Sequence, residues 1–110
     1  MRPFPHGSGE SVVRRDPLGV CALIAPWNFP INLVVIKLAP ALLAGCTVVI
    51  KPASPTPLSV RLLLDAADEA GIPPGVINLV TGDGYAVSDV VLADPRLAGI
   101  HFTGSTPTFQ

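Results

Sequence analysis

An α/β fold, a parallel sheet whose strands alternate with helices, is what this sequence predicts, and three observations predict it. Short apolar runs rich in Val and Ile recur along the chain and stop at Pro or Gly. Between them lie segments of helical length that carry their own start and stop signals. The connections are short, and alternation of this kind means parallel strands joined by right-handed helical crossovers.

Each element can be justified in chain order. Residues 1–16, Pro/Gly/Ser-rich and charged, read as a tail or the end of a truncated segment. GVCALIA, Gly19 to Ala25, is a continuous apolar run between turn residues, as for a strand buried on both faces. INLVVIKLAPALLAG has helical length and ends in Gly45, a C-terminal cap, while Pro40 should kink or break it. TVVIK, Thr47 to Lys51, is β-branched and stops at Pro52, a second buried strand. TPLSVRLLLDAADEAG places Thr56 as N-cap, Pro57 at the first helical position and Gly71 past the end. Its Leu58, Leu62, Leu63, Ala66 and Ala67 recur at helical spacing, largely opposite Arg61, Asp65, Asp68 and Glu69. VINLV is a third strand, closed by Thr81-Gly82-Asp83-Gly84. A shorter helix from about Tyr85 to Ala93 leads to GIHFTG, the fourth strand, in which His101 reads as a core residue. Residues 17–110 therefore form a nucleotide-binding type of α/β sheet.

Composition narrows the functional classes. With 110 residues there is room for one small domain. Hydrophobic residues make up 49% and charged residues 14%, against a usual charged share of roughly 25%, so some apolar faces pack on something beyond this chain. A net charge of −1 without a basic cluster argues against nucleic acid as a partner. Lys37 and Pro40 break the longest apolar stretch, so no membrane span is expected, and the start lacks the pattern of a secretory signal. Cys21 and Cys46 have no metal-ligand spacing with His6 or His101 and sit among apolar neighbours. No metal site is expected, and a reducing cytoplasm is the implied compartment.

In open parallel sheets, ligands bind outside the carboxyl ends of the strands. After the first strand come Pro26, Trp27 and Asn28, inside APWNFP, where the two prolines restrict Ala25 and Phe29. Lys51, Pro52, Ala53 and Ser54 follow the second strand, and Gly82 and Gly84 the third. Thr103, Gly104, Ser105 and Thr106 follow the fourth. Each has a plain and a sharper reading. APWNFP is punctuation or a site; Lys51 is a solvated edge charge or a cation for a ribose hydroxyl or phosphate. FTGST caps a helix or holds a phosphate. The dinucleotide fingerprint Gly-x-Gly-x-x-Gly is incomplete, since Val87 takes its last glycine position.

Four phrases, PLGVCALIAPWNFP, KLAPALLAGCTVVIKPASPTPLS, AGIPPGVINLVTGDG and FTGST, run in one order from about Asp16 to Thr106. Together they make the chain resemble the aldehyde dehydrogenase superfamily, and the tail GIHFTGSTPTFQ is similar to its pyrroline-carboxylate (glutamate-semialdehyde) dehydrogenase branch. The resemblance implies a Rossmann-like parallel sheet that forms part of an NAD(P)-binding domain. It implies that Asn28 donates its amide to an oxyanion, a job for a rigidly held donor. Ile24, Ala25, Pro26, Trp27 and Asn28 match the loop along the cofactor, and Lys51, with Pro52, Ala53 and Ser54, the region of the adenosine ribose. Gly84 matches a glycine near the pyrophosphate, and Phe102, Thr103, Gly104 and Ser105 the loop that holds it.

Three departures bear on these implications. Ser54 stands where many NAD-specific members carry Glu, so the cofactor is NAD or NADP. Ser88 and Phe109 replace family glycines. The family's Cys nucleophile and Glu base lie beyond FTGST and outside this sequence. The reading is thus part of an NAD(P)-dependent aldehyde dehydrogenase, with an aldehyde substrate, the remainder of the enzyme as partner, and a homo-oligomeric parent. A stand-alone nucleotide-binding or scaffold module without catalysis is the alternative.

Overall fold

The structure, a computed structural model, describes residues 2–6 and 9–109. Where a tail or the end of a truncated segment is expected, the chain forms two strands, β1 (Arg2–His6) and β2 (Gly9–Val13), paired antiparallel with Arg2 opposite Val13. The β-branched Val12 and Val13 suit a strand, and pairing satisfies backbone groups that a tail would leave to water.

Four further strands form one sheet: β3 (Val20–Ile24), β4 (Thr47–Lys51), β5 (Ile77–Leu79) and β6 (Leu97–Phe102). Their order is β5-β4-β3-β6 and every pairing is parallel. Helix α1 (Pro30–Leu43) joins β3 to β4, α2 (Pro57–Glu69) joins β4 to β5, α3 (Gly84–Ala93) joins β5 to β6, and α4 (Thr106–Phe109) follows. Of these four, the strand third in the chain lies at one edge and the fourth at the other, with the first beside the fourth. That is the first part of the doubly wound order, and the order in which strands are added reverses between β3 and β6.

The core lies on one face of the sheet. Cys21 and Leu23 of β3 and Val48 and Ile50 of β4 meet Val34 and Leu38 of α1 and Val60 of α2 in one buried cluster. On the other face Val87 and Val91 of α3 lie against Ala22, Ile24 and Val49, yet no residue of α3 is fully buried. His101 is paired with Leu23 and so belongs to the α1/α2 side, but it is exposed, not core. The reason is coverage: α1 packs on β3 and β4, which leaves the β6 column of that face open.

Local chemistry sets the helix ends. Gly45 and Gly71 have φ of +84°, and each allows a closing pair of bonds: Gly45 N–H to Leu42 O with Cys46 N–H to Ala41 O, and Gly71 N–H to Asp68 O with Ile72 N–H to Ala67 O. Pro40 does not break α1. It removes a donor for the Ile36 carbonyl, and Ile36 and Pro40 are both exposed, so water can serve that oxygen. Thr56 takes the N-cap position of α2, but its hydroxyl points to Ala53 O (3.5 Å) and caps no helical N–H.

Candidate functional site at the carboxyl edge of the sheet

Three backbone bonds extend the ladder past the strand ends: Ala25 N–H to Lys51 O (3.2 Å), Thr103 N–H to Ile24 O (3.1 Å) and Val80 N–H to Ile50 O (2.9 Å). The loops after all four parallel strands therefore leave the sheet side by side from one edge, as the order of elements requires.

After β3 the chain passes from half-buried Ile24 and buried Ala25 through half-buried Pro26 to exposed Trp27 and Asn28. Asn28 then enters α1 through Phe29, the N-cap residue, whose side chain makes no cap. Pro30 at the first helical position has no N–H to satisfy, which eases such a start. Among the described residues nothing bonds the Asn28 carboxamide. With Phe29, Ile31, Asn32 and Val35 it lines an open, largely apolar groove of about 490 Å³.

After β4, the half-buried Lys51 donates from Nζ to its neighbour's carbonyl, Pro52 O, at 3.0 Å. Pro52 is buried, Ala53 half-buried and Ser54 exposed. Together with Pro57 they form one wall of a groove of about 210 Å³, and Thr81 and Gly82, from the end of β5, form the other. Gly84 opens α3, and a Cβ there would meet nothing within 4 Å. The protein itself thus makes no demand for glycine at 84.

Gly104 is different. A Cβ at that position would collide with the Phe102 ring, so the turn needs glycine for its own packing. Phe102 also stacks at a tilt on Phe109, ring centroids 5.4 Å apart. Phe109, one of the two replaced glycines, is thereby accounted for as a packing partner. The Ser105 hydroxyl lies 2.8 Å from that of Thr108, and its carbonyl accepts the N–H groups of Thr108 and Phe109. Half-buried Thr103 completes this loop.

Both thiols lie towards the amino ends of the strands, Cys21 second in β3 and Cys46 just before β4, about 10 Å and about 17 Å of strand length from this edge by the usual rise per residue. Burial, then the adjacent Cys46, pushes the Cys21 thiol up. Cys46 shifts the other way. The C-terminal position beside α1 disfavours a thiolate, yet the thiol is pulled down, chiefly by the backbone N–H groups of Gly19 and Leu18.

Sequence reasoning missed Lys37. It is 1% exposed, its Nζ donates to Leu33 O at 2.8 Å, and burial pushes its ammonium down. The signal was present, for Val34, Lys37, Leu38 and Ala41 fall on one helical stripe. Thr81 and Pro57 as groove walls, and Asn32 beside Asn28, were also missed; they become neighbours only through the fold. Among the described residues no three His, Cys, Asp or Glu side chains gather to hold a metal ion, and no helix is long and apolar enough to cross a membrane.

A sheet of this order, with its polar loops gathered at the carboxyl edge, places the chain in the doubly wound α/β class. The chain belongs to the aldehyde dehydrogenase family, whose model matches residues 2–110. It is 52% identical over 105 residues to geranial dehydrogenase of Castellaniella defragrans, covering 96% of this chain and 22% of that enzyme. An aldehyde dehydrogenase from Pseudomonas syringae, solved with NAD+ and octanal, superposes with a TM-score of 0.86 at 44% identity, over 96% of this chain and 21% of that one. The NADP-dependent glyceraldehyde-3-phosphate dehydrogenase of Bacillus halodurans, solved with NADP, gives 0.83 at 45% identity, over 86% and 20%. The chain spans about a fifth of the length of these relatives.

Proposed function

We propose that this chain is part of the cofactor domain of an NAD(P)-dependent aldehyde dehydrogenase that oxidises an aldehyde to a carboxylic acid. One observation carries the reading: the unengaged Asn28 carboxamide stands at the same sheet edge as Lys51 and the Pro52–Ser54 groove that follows it. The donor set there suits a dinucleotide, with a cation at Lys51, a hydroxyl at Ser54, and Gly84 and Gly104 where backbone must come close. Ile24 to Trp27 would run along it and Phe102 to Ser105 would face its pyrophosphate. Bound there, the nicotinamide supplies the hydride acceptor.

Asn28 supplies the electrophilic help. When a thiolate adds to the aldehyde carbonyl, the oxygen gains charge, and an amide already in position stabilises it without reorganisation. Neither Cys21 nor Cys46 can be that thiolate, because both are buried near the opposite end of their strands. The nucleophile and the base come from the remainder of the enzyme, in a homo-oligomeric parent. Two free, buried thiols suit a reducing compartment, the cytoplasm.

The test is NAD(P)H formation from aliphatic, aromatic and semialdehyde substrates by the full reading frame containing this chain, and by the chain alone. Turnover is expected in the first and absent in the second. Turnover by the chain alone that vanishes in Cys21→Ser or Cys46→Ser would overturn the assignment of the nucleophile. No turnover in the full frame, with nucleotide still bound, would favour a module without catalysis. Within the panel, preference for glutamate semialdehyde is the outcome that the GIHFTGSTPTFQ tail supports.

A further inference from the structure

We propose that Ser88 is a positioning residue for Lys51, the cation that would meet the nucleotide; this rests on the nucleotide reading of the sheet edge. Lys51 ends β4, and its side chain lines a cavity of about 20 Å³ between the sheet and α3. Ser88 lines the same cavity from the helix. The other lining residues are Ala, Val, Ile and Leu, so Lys51 and Ser88 are the only side chains there that can form hydrogen bonds. Their levels also agree. Helix α3 runs back along the sheet from the carboxyl edge, with Ser88 in its second turn, ahead of Val91 and Leu92. Lys51 lies beyond Val49 on its own strand. Both polar groups therefore stand towards the end of the cavity nearest the edge.

The residue type matters. The resemblance puts a glycine at 88, which would supply no polar group, whereas serine supplies a hydroxyl. An ammonium has three N–H donors. One of them goes from Lys51 to Pro52 O at 3.0 Å, which leaves two. Ser88 is half-buried, and among the described residues nothing bonds its hydroxyl. A cavity of this size has room for about one water. The hydroxyl thus takes a second N–H of the ammonium, directly or through one water, and the third remains for a ribose hydroxyl or phosphate at the edge. A lysine held before the ligand arrives loses less side-chain freedom on binding, the ordinary gain from preorganisation.

The test uses the full reading frame containing this chain. Calorimetry gives the dissociation constant for whichever of NAD+ and NADP+ binds more tightly. Ser88→Ala removes the hydroxyl, and alanine is the better helix former, so α3 is kept. Binding is expected to weaken by about three- to ten-fold, the usual value of one hydrogen bond. In a Lys51→Met background, where no ammonium remains, Ser88→Ala should change binding by less than about two-fold, the ordinary limit of additivity. Should Ser88→Ala fail to fold, Ser88→Gly takes its place with the same expectation. A folded variant that binds as the wild type does overturns the inference. So does an equal loss with and without the Lys51 ammonium, which would make Ser88 a packing residue of α3; either result leaves the nucleotide site standing. A wild-type protein that binds neither dinucleotide overturns the site itself and this inference with it.

Discussion

Helices α1 and α3 begin at the same edge of the sheet, and they begin in opposite ways. The start of α1 has no side-chain cap and no acidic residue in its first turn, and the carboxamide just before it is exposed and unbonded. The start of α3 is closed by Asp83, whose carboxylate accepts two N–H groups. A helix start that satisfies itself is stable and cannot serve a ligand. One that leaves a donor unengaged gives up a cap, commonly worth about 1 kcal/mol, and keeps a group for chemistry. The contrast separates a structural aspartate from a functional asparagine a few residues from equivalent points in the fold.

The largest effect that can break this comparison is at Asn28. Asn28→Ala in the full reading frame should lower kcat by on the order of 10²–10³, the usual effect of losing an oxyanion donor. The melting temperature should hardly move, because the side chain caps nothing. Asp83→Ala should do the reverse, lowering stability by about 1 kcal/mol through the lost cap with turnover largely intact. Steady-state kinetics and thermal melts on both variants decide it. A destabilised Asn28→Ala with unchanged kcat would make the loop before α1 punctuation after all.

Helix α2 sharpens the same contrast, since Thr56 also makes no side-chain cap and Ser54 lies exposed just before it. Ser54→Glu places a carboxylate beside Lys51, where it can bond ribose hydroxyls and repel a 2′-phosphate. The NADP/NAD ratio of kcat/KM should fall by about ten-fold, given a like-charge interaction of roughly 1.4 kcal/mol. An unchanged ratio would remove Ser54 from the determinants of cofactor choice.

What was legible in the sequence was the part governed by near neighbours. TVVIK before Pro52 and the glycines at 45 and 71 carry their structural meaning within a few residues, and the strand and both caps appear where expected. The gathering of APWNFP, KPAS and FTGS at one edge follows from parallel strands alone. Distant partners were not legible. His101 looks like a core residue by its neighbours in the chain, and only sheet order reveals that no helix covers its column. The pull on the Cys46 thiol comes from the backbone of Leu18 and Gly19, twenty-odd residues away in sequence. The Asn28 groove needs the first turns of α1 in place before Asn32 and Val35 can line it.

The smallest effect lies at the far end of α3. Asp94 is its C-cap residue, and a carboxylate there faces the negative end of the helix dipole. Arg96 offsets this. Its guanidinium reaches both carboxylate oxygens, with Nη2 2.6 Å from Oδ2 and Nε 2.9 Å from Oδ1, and its backbone N–H bonds Oδ1 at 2.9 Å. These bonds, the side-chain ones foremost, bring the carboxyl from its ordinary 3.8 down to about 2. The folded state therefore holds this proton less tightly than the unfolded chain. The contribution to stability is complete above about pH 4 and disappears as the pH falls towards about 2. The Arg96 side chain is well exposed, so the effect is small and salt-sensitive. Urea midpoints of wild type and Asp94→Asn measured between pH 5 and pH 2 provide the check. The wild-type advantage should be constant down to about pH 4 and then close, whereas a gap that persists at the acid end would mean that Arg96 does not hold the carboxylate. The aspartates at the two ends of α3 would then differ in kind: Asp83 fixed by the helix itself, and Asp94 a solvated charge with no fixed partner.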